Sequence, residues 1–198
     1  MNQKNFNINK PSEWMNCLST VLNKVETKIE GNISSFDESY LYCLNLFEKV
    51  KASGNRVWWV GNGGSAAMCS HLSQDLMNKL KIKSLFLNDP ALITCMANDF
   101  GYENVYSKPL NLMAEPNDIL IAISSSGNSQ NILSCVQLAK SKDMKVISLS
   151  GFSNENKLWN TYSDISFYLN SQLYGIVEVG HEALIHAIIE TIFINQKL

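Results

Sequence analysis

The segment Arg56-Val57-Trp58-Trp59-Val60-Gly61-Asn62-Gly63-Gly64-Ser65 decides the fold of this 198-residue chain. It begins with a short, continuous apolar run, which is typical of a parallel strand buried on both faces. Three glycines and a serine follow within five residues, and then a helical pattern begins. Glycines at the end of a strand let the backbone approach a ligand closely, and the next helix N-terminus offers unpaired N–H groups to an anion. The segment therefore predicts a strand, an anion-binding loop and a helix.

The spacing of glycines in residues 61–65 differs from the dinucleotide-binding and P-loop motifs, and no Gly-Lys-Ser/Thr follows it. We therefore expect no nucleotide cofactor. The alternative to an anion site is a plain tight turn between a strand and a helix, which needs fewer glycines than this loop contains.

Four more apolar runs alternate with helical patterns further along the chain, as expected for parallel strands joined by crossover helices. Such crossovers are almost always right-handed. The pattern predicts an α/β three-layer sandwich with a five-stranded parallel sheet in flavodoxin-like order. The four further strands are expected at 84–87, 119–123, 146–149 and 165–169, and the helices at about 65–79, 90–112, 129–142 and 175–196.

Two amphipathic helical patterns precede the first strand, at about residues 12–29 and 37–53. Their apolar faces exceed what one small sheet can cover, so we interpret them partly as an oligomer interface. We expect a single domain over residues 1–198, in which residues 1–54 form a helical N-terminal extension.

The composition argues against several classes of protein. A net charge of −2, with Arg56 as the one arginine, argues against nucleic-acid binding and against an arginine-based phosphate site. No apolar run approaches the roughly 20 residues that a membrane span needs, and residues 1–9 lack an apolar signal core, so we expect no membrane association. Five cysteines without a Cys-x-x-Cys pair suit buried free thiols in a reducing compartment. We therefore expect a cytoplasmic protein.

A second strand-to-helix loop, residues 124–129, contains four serines, one glycine and one asparagine, and it follows the most apolar predicted strand. Ligands of open α/β sheets bind at the carboxyl ends of the strands. A hydroxyl-rich helix N-terminus can bind phosphate without a cation. An ordinary serine N-cap accounts for only one of the four serines. We therefore predict a phosphate site on this loop.

The three histidines all lie in helical segments next to these loops. His71 and Asp75 are four residues apart and share one helix face. Glu178 and His186 are about 80° apart around the last helix, whereas His181 is about 140° from His186. If the two pairs meet, they form either a zinc site or an acid–base pair. The alternative is that the histidines simply pack at helix contacts.

Together these motifs resemble the sugar isomerase (SIS) domain family and, within it, the phosphoheptose isomerases. The resemblance covers roughly residues 15–195 and includes both loops, the segment 97–103 and the closing segment 178–186. It also implies a homotetramer in which neighbouring subunits complete each site. The residues that it assigns to substrate binding are Asn62, Gly63, Gly64, Ser65, Asn98, Asp99, Ser124, Ser125, Ser126, Ser129 and Glu178.

The resemblance implies an enzyme that converts sedoheptulose 7-phosphate to D-glycero-D-manno-heptose 7-phosphate through an enediol, for the heptose of lipopolysaccharide or capsule. It implies Asp75 as the general base and His186 as its partner, and zinc would be held by His71, Asp75, Glu178 and His186. Two residues depart from the zinc-bearing relatives, because Asp75 replaces a glutamate and Glu178 replaces a glutamine. The alternative is a non-catalytic SIS protein that senses phosphosugars or binds a replication initiator.

Overall fold

The computed structural model describes residues 8–161 and 163–195. The expectations for the first seven residues and for the end of the last helix at residue 196 therefore lie outside the described residues. The elements, in chain order, are α1 (Pro11–Leu22), β1 (Glu26–Ile29), β2 (Asn32–Ser34), α2 (Phe36–Ser53), β3 (Arg56–Val60), α3 (Gly64–Asp75) with a π-helical turn (Leu76–Leu80), β4 (Lys83–Phe86), α4 (Pro90–Phe100), a 3₁₀ turn (Tyr102–Asn104), α5 (Ser107–Met113), β5 (Ile119–Ser124), α6 (Gln130–Ser141), β6 (Lys145–Gly151), α7 (Lys157–Asn160), β7 (Ile165–Leu169) and α8 (Tyr174–Ile194).

The strands form one sheet in the order β2-β1-β7-β6-β5-β3-β4. Strands β3 to β7 pair in parallel, and they correspond to the five strands predicted from the sequence. Along the sheet, the second of these parallel strands comes first, followed by the first, third, fourth and fifth. This is the flavodoxin-like order, so the predicted fold class is confirmed.

The prediction of a helix over residues 12–29 is wrong beyond Leu22. Strands β1 and β2 form an antiparallel hairpin there, and β1 also pairs antiparallel with β7. The two turn residues, Glu30 and Gly31, have φ values of 49° and 83°, as a tight two-residue hairpin turn requires. Over the described ranges the sheet therefore has seven strands instead of five, and the described part of the N-terminal extension is only partly helical.

Two other predicted helices are interrupted. The pattern at 90–112 divides at Gly101, whose φ of 81° ends α4, and continues as the 3₁₀ turn and α5. The pattern at 65–79 is α-helical only to Asp75 and then widens into the π-helical turn. Such turns frequently occur at functional sites.

Helices cover both faces of the sheet, which explains the continuous apolar runs. Val57 and Trp59 belong to the core on the face of α1, α2, α3 and α8. Trp58 and Val60 belong to the core on the opposite face, against α5, α6 and α7. This three-layer arrangement places α3 and α8 side by side on one face.

The cysteines are all free thiols. Cys43, Cys69 and Cys135 are buried, as predicted, whereas Cys17 is half-buried and Cys95 is exposed. Within the described ranges, we find no helix that combines the length and the apolar character needed to cross a membrane.

Candidate active site

A cleft of about 220 Å³ lies at the carboxyl ends of β3 and β5. The order of the strands along the sheet reverses between these two strands, and ligands of open α/β sheets bind at such points. The cleft brings together the predicted substrate residues other than Asn98 and Asp99. Its lining residues are Asn62, Gly63, Gly64, Ser65, Ile123, Ser124, Ser125, Ser126, Ser129, Tyr174 and Glu178.

The serine loop, residues 124–129, is held in a tight turn and supported from behind. Gly127 has a φ of 63°, and its N–H donates to the carbonyl of Ser124 at 2.9 Å. Behind the loop, the N–H of Leu158 donates to the carbonyl of Gly127 at 2.9 Å. A Cβ atom on Gly127 would lie 1.9 Å from Oδ1 of Asn156. Only glycine therefore fits here.

Ser125 places a buried hydroxyl without a described partner at the cleft. Its side chain is buried, and its Oγ has no hydrogen-bond partner among the described residues. A buried hydroxyl without a partner costs free energy, so such a group calls for an explanation. Among the described residues that line the cleft, none is a lysine or arginine. An anion in the cleft would therefore be held by hydroxyls and backbone N–H groups, as the sequence predicted.

A pair of amides connects the two loops. Nδ2 of Asn62 donates to Oδ1 of Asn131 at 3.0 Å, and Nδ2 of Asn131 donates back to Oδ1 of Asn62 at 2.8 Å. The hydroxyl of Tyr102 also donates to Oδ1 of Asn62, at 3.2 Å. Sequence reasoning missed Asn131, although a polar residue four positions before the buried Cys135, on the apolar face of α6, was a usable signal.

Asn98 and Asp99 lie on the exposed side of α4. Nδ2 of Asn98 donates to Oδ1 of Asp99 at 2.8 Å, and Sγ of Cys95 donates to Oδ2 of Asp99 at 3.5 Å. Neither Asn98 nor Asp99 lines the cleft. Instead, Tyr102 of the 3₁₀ turn that follows α4 contacts Asn62 in the first loop.

Three ionisable side chains meet where α3 and α8 pack together. One potential ligand atom from each of His71, Asp75 and His186 lies within 4.8 Å of the others. Nδ1 of His186 is 3.5 Å from Oδ2 of Asp75, and the two imidazole rings are 5.2 Å apart between centroids. Two imidazoles and a carboxylate suit zinc, and three protein ligands leave the open position of a catalytic site. The group can therefore hold a metal ion.

Glu178 and His181 lie outside this group. The carboxylate of Glu178 faces the start of α3, where a Cβ atom on Gly64 would lie 2.6 Å from Oε2. His181 is fully buried, and its Nε2 lies 3.0 Å from the carbonyl oxygen of Ser150. Burial lowers the pKa of His181 to about 4. Of the four residues expected to hold a metal, the structure thus brings three together.

The carboxylate of Asp75 is buried and paired with a lysine. Nζ of Lys79 donates to Oδ2 of Asp75 at 2.8 Å and also contacts the carboxylate of Glu190. The hydrogen bond from Lys79 is the main cause that lowers the pKa of Asp75, and His71 and His186 add smaller effects. The same contact raises the pKa of Lys79. Lys79 was not predicted, although its spacing of four residues from Asp75 is visible in the sequence.

The comparisons with known proteins agree with this geometry. Residues 13–151 match the family model of the SIS domain. The phosphoheptose isomerase of Shewanella piezotolerans is 31% identical over 175 residues, which cover 85% of this chain and 88% of that protein. The chain belongs to the SIS-domain family, in its phosphoheptose isomerase branch.

Solved structures support the same placement of this SIS-domain protein. Phosphoheptose isomerase from Neisseria gonorrhoeae matches with a TM-score of 0.77 at 26% identity, covering 91% of this chain and 93% of that one. The enzyme from Francisella tularensis matches with a TM-score of 0.79 at 25% identity, covering 93% and 96%. The resemblance seen in the sequence is confirmed, and these relatives indicate that the chain is an isomerase.

In this SIS-domain isomerase, one helix carries both parts of the candidate site. Helix α3 begins at the cleft with Gly64 and Ser65 and reaches His71 after six residues, roughly 9 Å along its axis. The cleft can bind an anion at the start of the helix. The cluster of His71, Asp75 and His186 can transfer a proton or hold a metal about two to three turns further on.

Proposed function

We propose that this chain converts sedoheptulose 7-phosphate to D-glycero-D-manno-heptose 7-phosphate. The observation that carries the proposal is that α3 joins a hydroxyl-lined cleft without basic side chains to a buried carboxylate beside an imidazole. The names of the relatives support the choice of substrate. The product would supply heptose for lipopolysaccharide or capsule, and we expect this step in the cytoplasm.

In this proposal, the serine loop and the N-terminus of α3 hold the phosphate. Asp75 removes the proton from the hydroxyl-bearing carbon next to the carbonyl, and the carbonyl oxygen gains a proton to give an enediol. A proton then returns to the former carbonyl carbon, and the hydroxyl on the carbon that Asp75 deprotonated loses its proton as that carbon becomes the new carbonyl, so that the reaction consumes no proton overall. His186 takes part either as the acid–base partner of Asp75 or as a ligand. When zinc is held by His71, Asp75 and His186, it supplies a Lewis acid for the carbonyl oxygen.

The proposal is tested by NMR assay of the purified protein against a panel of ketose phosphates, with and without added zinc. We expect conversion of sedoheptulose 7-phosphate and little turnover of shorter ketose phosphates. If no ketose phosphate reacts under either condition while phosphosugars still bind, the non-catalytic SIS protein is the better description.

Ser125→Ala tests the phosphate site. Because Oγ of Ser125 has no partner in the described part of the chain, its removal should leave the free energy of unfolding unchanged or slightly higher. Binding of the sugar phosphate, measured by calorimetry, should weaken by about 1.5–3 kcal/mol, the range for a hydrogen bond to a charged group.

Ser163→Ala is the matched control, because Oγ of Ser163 is also buried without a described partner and Ser163 does not line the cleft. It should leave the affinity unchanged. Equal affinities for Ser125→Ala and the parent protein would remove Ser125 from the phosphate site.

We also propose a homotetramer. Helix α1 has no buried residue, and Met15, Ile33 and Leu41 are 65%, 74% and 56% exposed. Light scattering should give about four times the chain mass of 22.2 kDa. Leu41→Lys should shift the protein towards smaller species, whereas Leu112→Lys, at a position 86% exposed outside this N-terminal region, should not. A monomer at micromolar concentration would contradict the proposal.

A further inference from the structure

Two groups compete for one oxygen of Asp75. Oδ2 lies 2.8 Å from Nζ of Lys79 and 3.5 Å from Nδ1 of His186. A metal ion held by His71, Asp75 and His186 would need a carboxylate oxygen from the same side chain. The ammonium group therefore lies next to the position that a metal ion would take.

The fold fixes Lys79 in this place. The carboxylate of Glu190, on α8, contacts the same ammonium group from the other side. Lys79 belongs to the π-helical turn that begins directly after Asp75, and such turns are frequent at functional sites. The side chain of Lys79 is 27% exposed and that of Asp75 is 8% exposed. The pair is therefore more enclosed than an ordinary surface ion pair.

A divalent cation and an ammonium group repel each other strongly at such short range, because partly buried charges are poorly screened by water and salt. The contact with Glu190 opposes movement of the ammonium group of Lys79 away from Asp75 when a metal ion arrives. Zinc that binds to the cluster must therefore compete with the ion pair between Asp75 and Lys79.

We propose that Lys79 is the resident counter-ion of Asp75, which holds the carboxylate in place beside His186 without metal and weakens zinc binding by the group of His71, Asp75 and His186. Lys79 acts through Asp75 and is a positioning residue. This inference rests on the site of the proposed function. Zinc affinity can be measured without substrate, so either proposal can fail alone.

The test is the zinc affinity of the full chain, measured near neutral pH by competition with a chromogenic chelator. Lys79→Gln and Lys79→Met should each bind zinc at least about tenfold more tightly than the parent, because each removes a positive charge next to the position of the metal ion. Lys79→Arg keeps the charge and should resemble the parent. Lys81→Gln removes an equal charge two residues further on, where Nζ contacts the carbonyl of Asn78, and should change the affinity little.

A double variant locates the bound zinc. Adding His71→Ala to Lys79→Gln should abolish the gain in affinity. Unchanged or weaker zinc binding by the neutral variants would overturn the inference, and so would a gain that survives His71→Ala. If both neutral variants fail to fold by circular dichroism, Lys79 is a structural residue and the inference is also overturned.

Discussion

Asp75→Asn and His186→Gln should each lower the turnover number by about 10²–10⁴-fold, the usual effect of losing a positioned general acid or base. Phosphosugar affinity should remain largely intact, because neither Asp75 nor His186 lines the cleft. Turnover is measured by NMR assay on sedoheptulose 7-phosphate, and affinity is measured by calorimetry. A large loss of turnover with nearly unchanged affinity is the result expected if Asp75 and His186 are catalytic residues.

Asp37→Asn is the matched control, because Asp37 is exposed in the first turn of α2, far along the chain from the cluster. It should keep full activity. Asp75→Glu should also lower turnover, since the longer side chain displaces the carboxylate from its contacts with Lys79 and His186. If Asp75→Asn retains the turnover of the parent protein, Asp75 is not the base.

Gly127→Ala should destabilise the protein by about 2–5 kcal/mol and abolish most phosphosugar binding. The added Cβ would lie 1.9 Å from Oδ1 of Asn156, and overpacking of this kind costs about 1–3 kcal/mol. The φ of 63° adds about 1–2 kcal/mol for a residue with a side chain. Urea unfolding and calorimetry with the sugar phosphate measure the two effects.

Gly31→Ala is the control that separates the cost of a positive φ from the cost of the steric clash at Gly127. Gly31 has a φ of 83°, but nothing lies within 4 Å of a Cβ atom built there. This variant should lose only the smaller, conformational part of the stability and should keep its affinity for the phosphosugar. If Gly127→Ala is no worse than Gly31→Ala, the contact with Asn156 does not shape the serine loop.

The central strands were predictable because each is covered on both faces, which makes a run such as residues 57–60 continuously apolar. The β1–β2 hairpin was not. Val25 and Ile29 also fit the spacing of a helix, and one of the two strands that pair with β1 is β7, more than 130 residues further along the chain. A strand that depends on so distant a partner leaves little trace in its local sequence.

The two loops were predictable from their positions at strand ends, and the pair of His71 and Asp75 from its spacing. The prediction that Glu178 lies beside His186 used only the angle between the two residues around the helix. Eight residues also separate them by roughly 12 Å along the axis. Glu178 consequently reaches the cleft, whereas His186 reaches the cluster. Contacts of α3 and its π-helical turn with α8, including that of Lys79 with Glu190, depend on packing that a single sequence does not display.

The hairpin of β1 and β2 also protects the border of the sheet from strand addition by another molecule. All five residues of β7 are buried, and β1 occupies the hydrogen-bonding groups on its outer side. The new outermost strand, β2, is only three residues long, and short border strands are poor templates for strand addition by another molecule. A chain that started after residue 35 would present β7 as an apolar border open to polymerisation. The β1–β2 hairpin thus prevents extension of the sheet by another molecule. This role is separate from the binding of phosphosugars and from their chemistry.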